Sequence, residues 1–371
     1  MKKPLIVFVS LAIALSLNSC SGLKKKSPPL LFTMKEAPVV GETFSNQKIN
    51  LGGLSGLQFK EKKGGAFYFE AISDRGPNGW SKGIEKPFLI PSFSPTIYTL
   101  KADPKSMELS FVSKLELKKS DGKPLTGLPN HRREENPIDV FGVLYSVDPM
   151  GLDTESLVSD GENGFWVADE YAPSLVHFDN LGTMKRRLTP GTELPRSYAE
   201  RKTNRGFEGV AKFNQKLFGF LQSPLPGEEF VRIAEVDLES MKTSAEYFYP
   251  FMKGNSKIGD AVSLSEKEIL VLEQNGEVGE KSQKDIFKII LGESDQEVKK
   301  IFITSLNETP FRNQEKIEGL TVVDDDQIAF VSDNDFGISG YTDFKTGLTS
   351  SNHNPNQLII LTLPKNLKDY K

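Results

Sequence analysis

An all-β fold, a β-propeller of roughly six blades, is what this 371-residue sequence predicts. Three observations carry that expectation. Apolar runs such as "AFYFEAIS", "TIYTLKA", "KLFGFLQS", "EILVLEQ" and "QLIILTL" are short and divided throughout by Gly, Asn, Asp and Pro turns. Helical periodicity is scarce, and "TELPRSYAERKTN" (192–204) is the best short helix candidate. A unit also recurs: a small or acidic residue, Gly, an apolar pair, a turn, an apolar strand, and an acidic or amide end.

The unit occurs at 52–76, 151–170, 205–223, 258–274 and 317–335, and each instance reads as a hairpin. Segments between them, such as "SLVHFDNLGTMKRRL", supply strands to complete four-stranded blades. At about 45 to 60 residues per unit, the chain has room for roughly six blades. They form one domain, because a blade buries its faces only against its neighbours. Segment 118–142 breaks the rhythm. Its length and its charge, Gly and Pro content suit a cover over one face or an insertion without such a role.

The N-terminus sets the expected compartment. Lys2 and Lys3 precede the apolar run "LIVFVSLAIALSL", which is too short for a comfortable transmembrane helix and suits a signal peptide over 1–19. It ends in "LNSC", which resembles the bacterial lipobox, so Cys20 is the expected lipidation site. Residues 20–40 then read as lipidated cysteine and tether, and 41–371 as the propeller. Cys20 is the only cysteine, which leaves no internal disulfide to form. The alternative is an ordinary signal peptide with an incidental cysteine. The expectation is a cell-envelope lipoprotein, at the outer membrane or facing the periplasm, touching membrane only through its lipid and otherwise a monomer.

Composition narrows the chemistry. A net charge of −4 with no basic aromatic cluster argues against nucleic acid as a partner. Three scattered histidines, His131, His177 and His353, make zinc chemistry and a Ser-His-Asp triad weak readings. Ser55 and Ser156 lie beside the motifs, but no G-x-S-x-G with a histidine partner supports a serine nucleophile.

The carboxylates are more informative. In a propeller the first strand of each blade lines the central channel, so the polar residue opening each hairpin arrives at one ring. Those residues are Ser55, Glu155, Glu208, Asp260 and Glu318, and the strand ends add Asp74, Asp169, Glu170, Asp333 and Asp335. Converging carboxylates repel, and a hard divalent cation resolves the conflict. Calcium suits an all-oxygen ligand set better than zinc. The alternative is that the acids pair with Arg75, Arg205, Arg132 and Arg133, or end strands at the surface. The run Asp324, Asp325, Asp326 reads as a solvated hairpin turn.

At these motifs the sequence resembles a known family, the secreted bacterial "esterase-like activity of phytase" or phytase-like domain. The matching stretches are "AISDRGPNG", "KPLTGLPN", "GLDTESLV", "FWVADEYAPSLVHFD", "NRGFEGVA", "KIEGL" and "VSDNDFG", in the family's order. The resemblance implies kinship with β-propeller phytases, calcium-dependent phosphomonoesterases with an acidic channel. It implies metal ligands among Glu155, Glu208, Asp260, Glu318, Asp169, Glu170 and Asp74. Catalytic roles then fall to Glu208 and Glu318 as ligand or base, and to Arg75 and Arg205 as holders of an anionic substrate. Two departures stand out: Tyr171 occupies the place of an expected third acid, and beyond Arg75, Arg205 and Lys316 no phosphate cradle is evident. Two functions follow. One is a lipid-anchored, calcium-dependent hydrolase of a phosphoester or related ester. The other is a non-enzymatic envelope propeller that binds a glycan, peptide or protein, with calcium at most structural.

Overall fold

The computed structural model describes residues 27–131 and 135–371. The expected signal peptide, Cys20, and Arg132 and Arg133 lie outside the described residues. Among those described, no helix is long and apolar enough to cross a membrane.

The five short apolar runs quoted from the body of the chain all fall on strands, and each of the five recurring units is an antiparallel hairpin. Two further strands extend each hairpin outward into a four-stranded blade. Blade I comprises Leu54–Lys63, Ala66–Ser73, Thr96–Asp103 and Glu108–Glu116. Blade II comprises Thr154–Ser159, Phe165–Asp169, Ser174–Phe178 and Met184–Leu188. Blade III runs from Phe207–Phe213 through Lys216–Leu221 and Phe230–Asp237 to Lys242–Pro250, with Gln296–Glu297 added in parallel at its edge. Blade IV is Lys257–Ser263, Glu268–Gln274, Lys284–Ile290 and Lys299–Ser305. Blade V joins Lys316–Asp324, Gln327–Asp333 and Gln357–Thr362 to the N-terminal strand Leu30–Thr33.

The first strand of each blade packs on that of the next, and the first strand of blade V packs on that of blade I. The ring therefore closes with five blades among the described residues, rather than the expected six. The stretches that would have supplied a sixth, 77–95, 118–150 and 335–355, contribute only bridges and two-stranded ribbons. Two findings revise boundaries. Leu30–Thr33, placed in the expected tether, pairs with Gln357–Thr362 because its apolar side chains complete the blade V core. The expected helix at 192–204 is a single 3-10 turn, Arg196–Glu200, anchored by buried Tyr198.

The axis of the ring is crowded, and that crowding explains the recurring small residues. A Cβ on Gly56 would lie 2.7 Å from the backbone nitrogen of Leu157, and one on Gly319 would lie 2.7 Å from Cβ of Leu57. Just before this tight point, each inner strand carries a β-bulge, where the pairing register skips one residue. The skipped residues are Ser55, Glu155, Glu208, Gly259 and Glu318. A bulge re-aims a side chain out of the alternating pattern, and here the re-aimed set sits at one end of the axis.

Asp260 is thus one residue out of step with the glutamates, and a one-residue slip reverses the face a side chain takes. Its two oxygens are engaged by protein donors, away from the acids of the channel mouth. Its Oδ1 accepts from Ser156 Oγ (2.7 Å) and its own neighbour Ala261 N (2.8 Å), and its Oδ2 accepts from Leu320 N (2.7 Å). Ser156 Oγ in turn accepts from Val210 N (3.2 Å). One buried carboxylate thereby ties blades II, III, IV and V across the axis. The same contacts leave Ser156 fully buried and committed, which removes it as a nucleophile.

We expect Asp260→Ala to lower stability by about 3 kcal/mol, because it strands the Ser156 hydroxyl and the Leu320 N–H without an acceptor. Urea unfolding measures this; a loss below about 1 kcal/mol would show that the tie is dispensable.

Candidate metal and anion site

Two of the bulged residues, Glu155 and Glu318, line a cavity of about 470 Å³ at the mouth of the channel. Asp74, Arg75, Glu155, Glu170, Arg205, Lys316, Glu318, Asp333 and Asp335, all singled out from sequence, line it. Sequence reasoning missed Asp153, Lys86 and Lys257, which line it too.

Asp153, Glu155 and Glu170 are buried, and one carboxylate oxygen from each lies within 4.8 Å of the others. Asp153 and Glu155 flank one residue at the start of the blade II inner strand, a same-face spacing that was visible in "GLDTESLV". Glu170 follows the paired strand of that hairpin, and its N–H donates to Asp153 O (2.8 Å). Asp153 Oδ2 and Glu170 Oε1 have no hydrogen-bond donor. Their cationic neighbours stand at longer range: Arg75 Nη1 is 3.4 Å from Asp153 and Arg205 Nη1 is 3.6 Å from Glu170.

Glu208 sits under the cavity rather than in it. It is fully buried, its Oε2 accepts from Gln222 Nε2 (2.6 Å), and its Oε1 has no partner. Burial and the nearby Glu318 push its pKa up to about 8, against the pull of Lys257 and Gln222. Burial, then Asp153 and Glu208, push Glu155 well above the carboxylate range. Burial, then Glu208 and Asp153, do the same to Glu170. Asp74 is raised by burial and by Asp333 and Asp153.

Asp169 lies outside this group, which corrects its expected role as a ligand. It accepts from Ser174 Oγ (2.6 Å), Arg187 Nη2 (2.8 Å), Asp153 N (3.0 Å) and Tyr171 N (3.2 Å). Its neighbour Glu170 thus faces the cavity while Asp169 faces an arginine. Asp169 holds the Asp153 backbone in place, so it positions a wall of the site from behind.

The cations are arranged unevenly. Lys316 is tightly held, 2.8 Å from Asp333 and 2.6 Å from Asp335. Arg75 meets Glu135 (2.9 Å), which belongs to the rhythm-breaking segment 118–142. Tyr171, standing in the place of a third acid, donates its hydroxyl to Gly127 O of that same segment (2.8 Å), with the Arg75 guanidinium 5.6 Å from its ring centre. The segment therefore packs behind Arg75, which lines the cavity, and Tyr171 pins it there. Lys257 Nζ is only loosely paired, 3.8 Å from Glu318. Lys86 has no ion pair among the described residues, and burial, then Arg75, push its pKa down to about 8.

The fold and site define a class: an all-β propeller whose channel mouth holds an acidic cluster able to take a metal, next to loosely paired cations. The family described as "esterase-like activity of phytase" matches residues 49–336, and the chain belongs to it. A fungal relative from Arthroderma benhamiae, known as an "Uncharacterized secreted protein", is 25% identical over 202 residues, covering 42% of this chain and 40% of the relative. The chain thus matches less than half of that relative's length. Among solved structures, an alpha-L-arabinofuranosidase from Lactobacillus brevis is similar at 12% identity and TM-score 0.41, covering 85% of this chain and 92% of that one. A protein of unknown function from Dyadobacter fermentans matches at 13% identity and TM-score 0.37, covering 85% and 79%. Likenesses this distant carry no argument about chemistry, and the architecture rests on the strand pairing itself.

The raised carboxyls fix the sign of a pH dependence. Between about pH 4.5, where an unfolded glutamate ionises, and about pH 8, the native protein holds protons that the unfolded chain has released. Stability of the cation-free protein therefore falls as pH rises through that window. Lys86 acts in the opposite sense, but only above about pH 8. We expect the melting temperature in chelator to drop between pH 5 and pH 8, and Glu208→Gln to recover about 2 °C or more of that drop. A profile that Glu208→Gln leaves unchanged would count against Glu208 as the proton holder.

Proposed function

We propose that this protein is a calcium-dependent hydrolase of a phosphoester or related ester at the cell envelope, working at the mouth of its propeller channel. The observation that carries the reading is one imbalance within a single cavity. Buried carboxylate oxygens lack hydrogen-bond donors, while the Lys257 ammonium and the Arg205 guanidinium are paired only at 3.8 and 3.6 Å. A divalent cation fits the first set and an anionic ester the second.

The donors offered by Asp153, Glu155 and Glu170 are all oxygen, which suits calcium. Bound there, calcium supplies positive charge that polarises an ester oxygen and acidifies water. The protein's own groups do the rest. Lys86, Lys257 and Arg205 orient the anionic group of the ester, Arg205 by its planar fork. Glu318 lines the cavity and is held only loosely, by a long hydrogen bond from Ser55 (3.4 Å) and by Lys257 at 3.8 Å, so it is the carboxylate placed to take a proton from the attacking water. Burial and Glu318 push the pKa of the Glu208 carboxyl up to about 8 in the cation-free protein, which makes Glu208, below the cavity, a proton reservoir for the departing alcohol. The bond broken joins the acid to the alcohol oxygen; water provides the new hydroxyl and the alcohol's proton.

The envelope location and the lipid at Cys20 remain part of this proposal, supported by the leader sequence. The same cavity could serve binding alone, with calcium as a structural ion, and hydrolysis separates the two.

With calcium and a chromogenic phosphoester, we expect turnover that chelator abolishes and calcium restores. Glu318→Gln should lower kcat by about 100-fold or more while the melting temperature holds. Calcium at a hundred times its Kd should stabilise by about 2.7 kcal/mol, and Asp153→Asn should remove most of that gain. No hydrolysis across phospho- and carboxyl-ester panels, with calcium still raising the melting temperature, would replace the hydrolase by a binding protein.

A further inference from the structure

The cavity is lined mostly by charged and polar groups; the large apolar side chains are buried Ile338 and, exposed at the rim, Trp80. Trp80 is 66% exposed, an unusual state for an indole in a folded chain, and it lines the same cavity as the carboxylates. It is held firmly. Its backbone N–H donates to Gly340 O (2.7 Å), and the indole lies so close to Gly340 that a Cβ there would sit 2.4 Å from Cδ1 and Nε1. Gly340 has a φ of 85°, which a residue with a side chain rarely adopts, so the seat is reserved for glycine twice over. Gly79 fits as tightly, since its Cβ would meet Thr342 Oγ1 at 2.8 Å. Tyr341, itself 55% exposed, stands edge-on to the indole with ring centres 6.5 Å apart and planes at 71°.

An aromatic fixed at a pocket rim, with one side on backbone and much of its surface in water, is a prepared stacking platform. We propose that Trp80 is the subsite for the alcohol part of the ester, and that this part is a ring, either a sugar or a phenol. The assignment rests on the hydrolase reading of the cavity for the word ester, and on geometry alone for the ring. The cavity, at about 470 Å³, has room for a small molecule that reaches from the indole to the charged groups. A ring presents a flat face of polarised C–H or π surface to the indole, and such stacking is tolerant of chemical detail. A short aliphatic alcohol would leave the indole uncovered and gain nothing from it.

The test exploits tryptophan content. Trp80 and Trp166 are the only tryptophans, and Trp166 is 2% exposed, so acrylamide-accessible emission reports Trp80. The full-length protein in calcium is titrated with phenyl phosphate, glucose 1-phosphate and methyl phosphate. The two ring esters should protect Trp80 from acrylamide and bind more tightly than methyl phosphate; their ranking tells phenol from sugar. Trp80→Ala should weaken the ring esters about tenfold and leave methyl phosphate unchanged, while Trp80→Phe keeps most of the affinity. Equal binding of ring and methyl esters, an unaltered ring affinity in a folded Trp80→Ala variant, or no binding of any of the three would overturn the subsite. Protection of Trp80 by ring esters without turnover would instead sink the hydrolase and keep the subsite. Turnover with equal KM for all three esters, unchanged by Trp80→Ala, would do the reverse.

Discussion

Crowding at the propeller axis governs the rest of the molecule. Five inner strands approach so closely that the position after the bulge must be glycine, serine or a carboxylate already spoken for by neighbouring donors. The residue immediately before is pushed out of register and toward the channel mouth. Acidic side chains are therefore concentrated there by the same backbone feature that lets the ring close. Concentrating them is unfavourable, as the upward displacement of Glu155, Glu170 and Glu208 records. The surrounding cations offset this only in part.

That incomplete offset distinguishes two kinds of acid. Asp169 and Asp260 receive four and three hydrogen bonds, and their surroundings leave nothing for a ligand to supply. Asp153 and Glu170 keep oxygens without donors a few ångströms away. Burial is common to all four, so burial alone does not mark a site. The difference lies in whether the fold has already provided the donors. The segment 118–142 brings Glu135 to Arg75, so that one guanidinium is shared between Glu135 at 2.9 Å and Asp153 at 3.4 Å.

Much of the architecture was legible in the sequence because it repeats. All five hairpins were readable, since apolar alternation and turn residues report strand and turn directly. The blade count was not, because loops long enough to hold another blade instead form isolated bridges and two-stranded ribbons. The distinction between Asp260 and the glutamates also escaped: "GDAV" looks like "FEGV", and only the pairing shows that Gly259, rather than Asp260, fills the bulge. Asp153 was passed over for a different reason: it lies inside the 151–170 repeat but two residues before the hairpin-opening position that drew attention to Glu155. Arg187, the partner of Asp169, comes from a strand eighteen residues away, a contact that local pattern does not encode.

Blade V holds both ends of the ring, since Leu30–Thr33 completes a sheet whose other strands begin at Lys316. The first strand to be made thus waits for nearly the last one, Gln357–Thr362. Until that strand arrives, Leu30 to Thr33 has only its single parallel pairing of Thr33 with Glu108 in blade I, and the rest of it is an unpaired apolar edge. Closure of the ring is accordingly a quality check on the whole chain. A copy truncated before Gln357 lacks the strand that joins its two ends, and the axis where the acids meet is left without its seal.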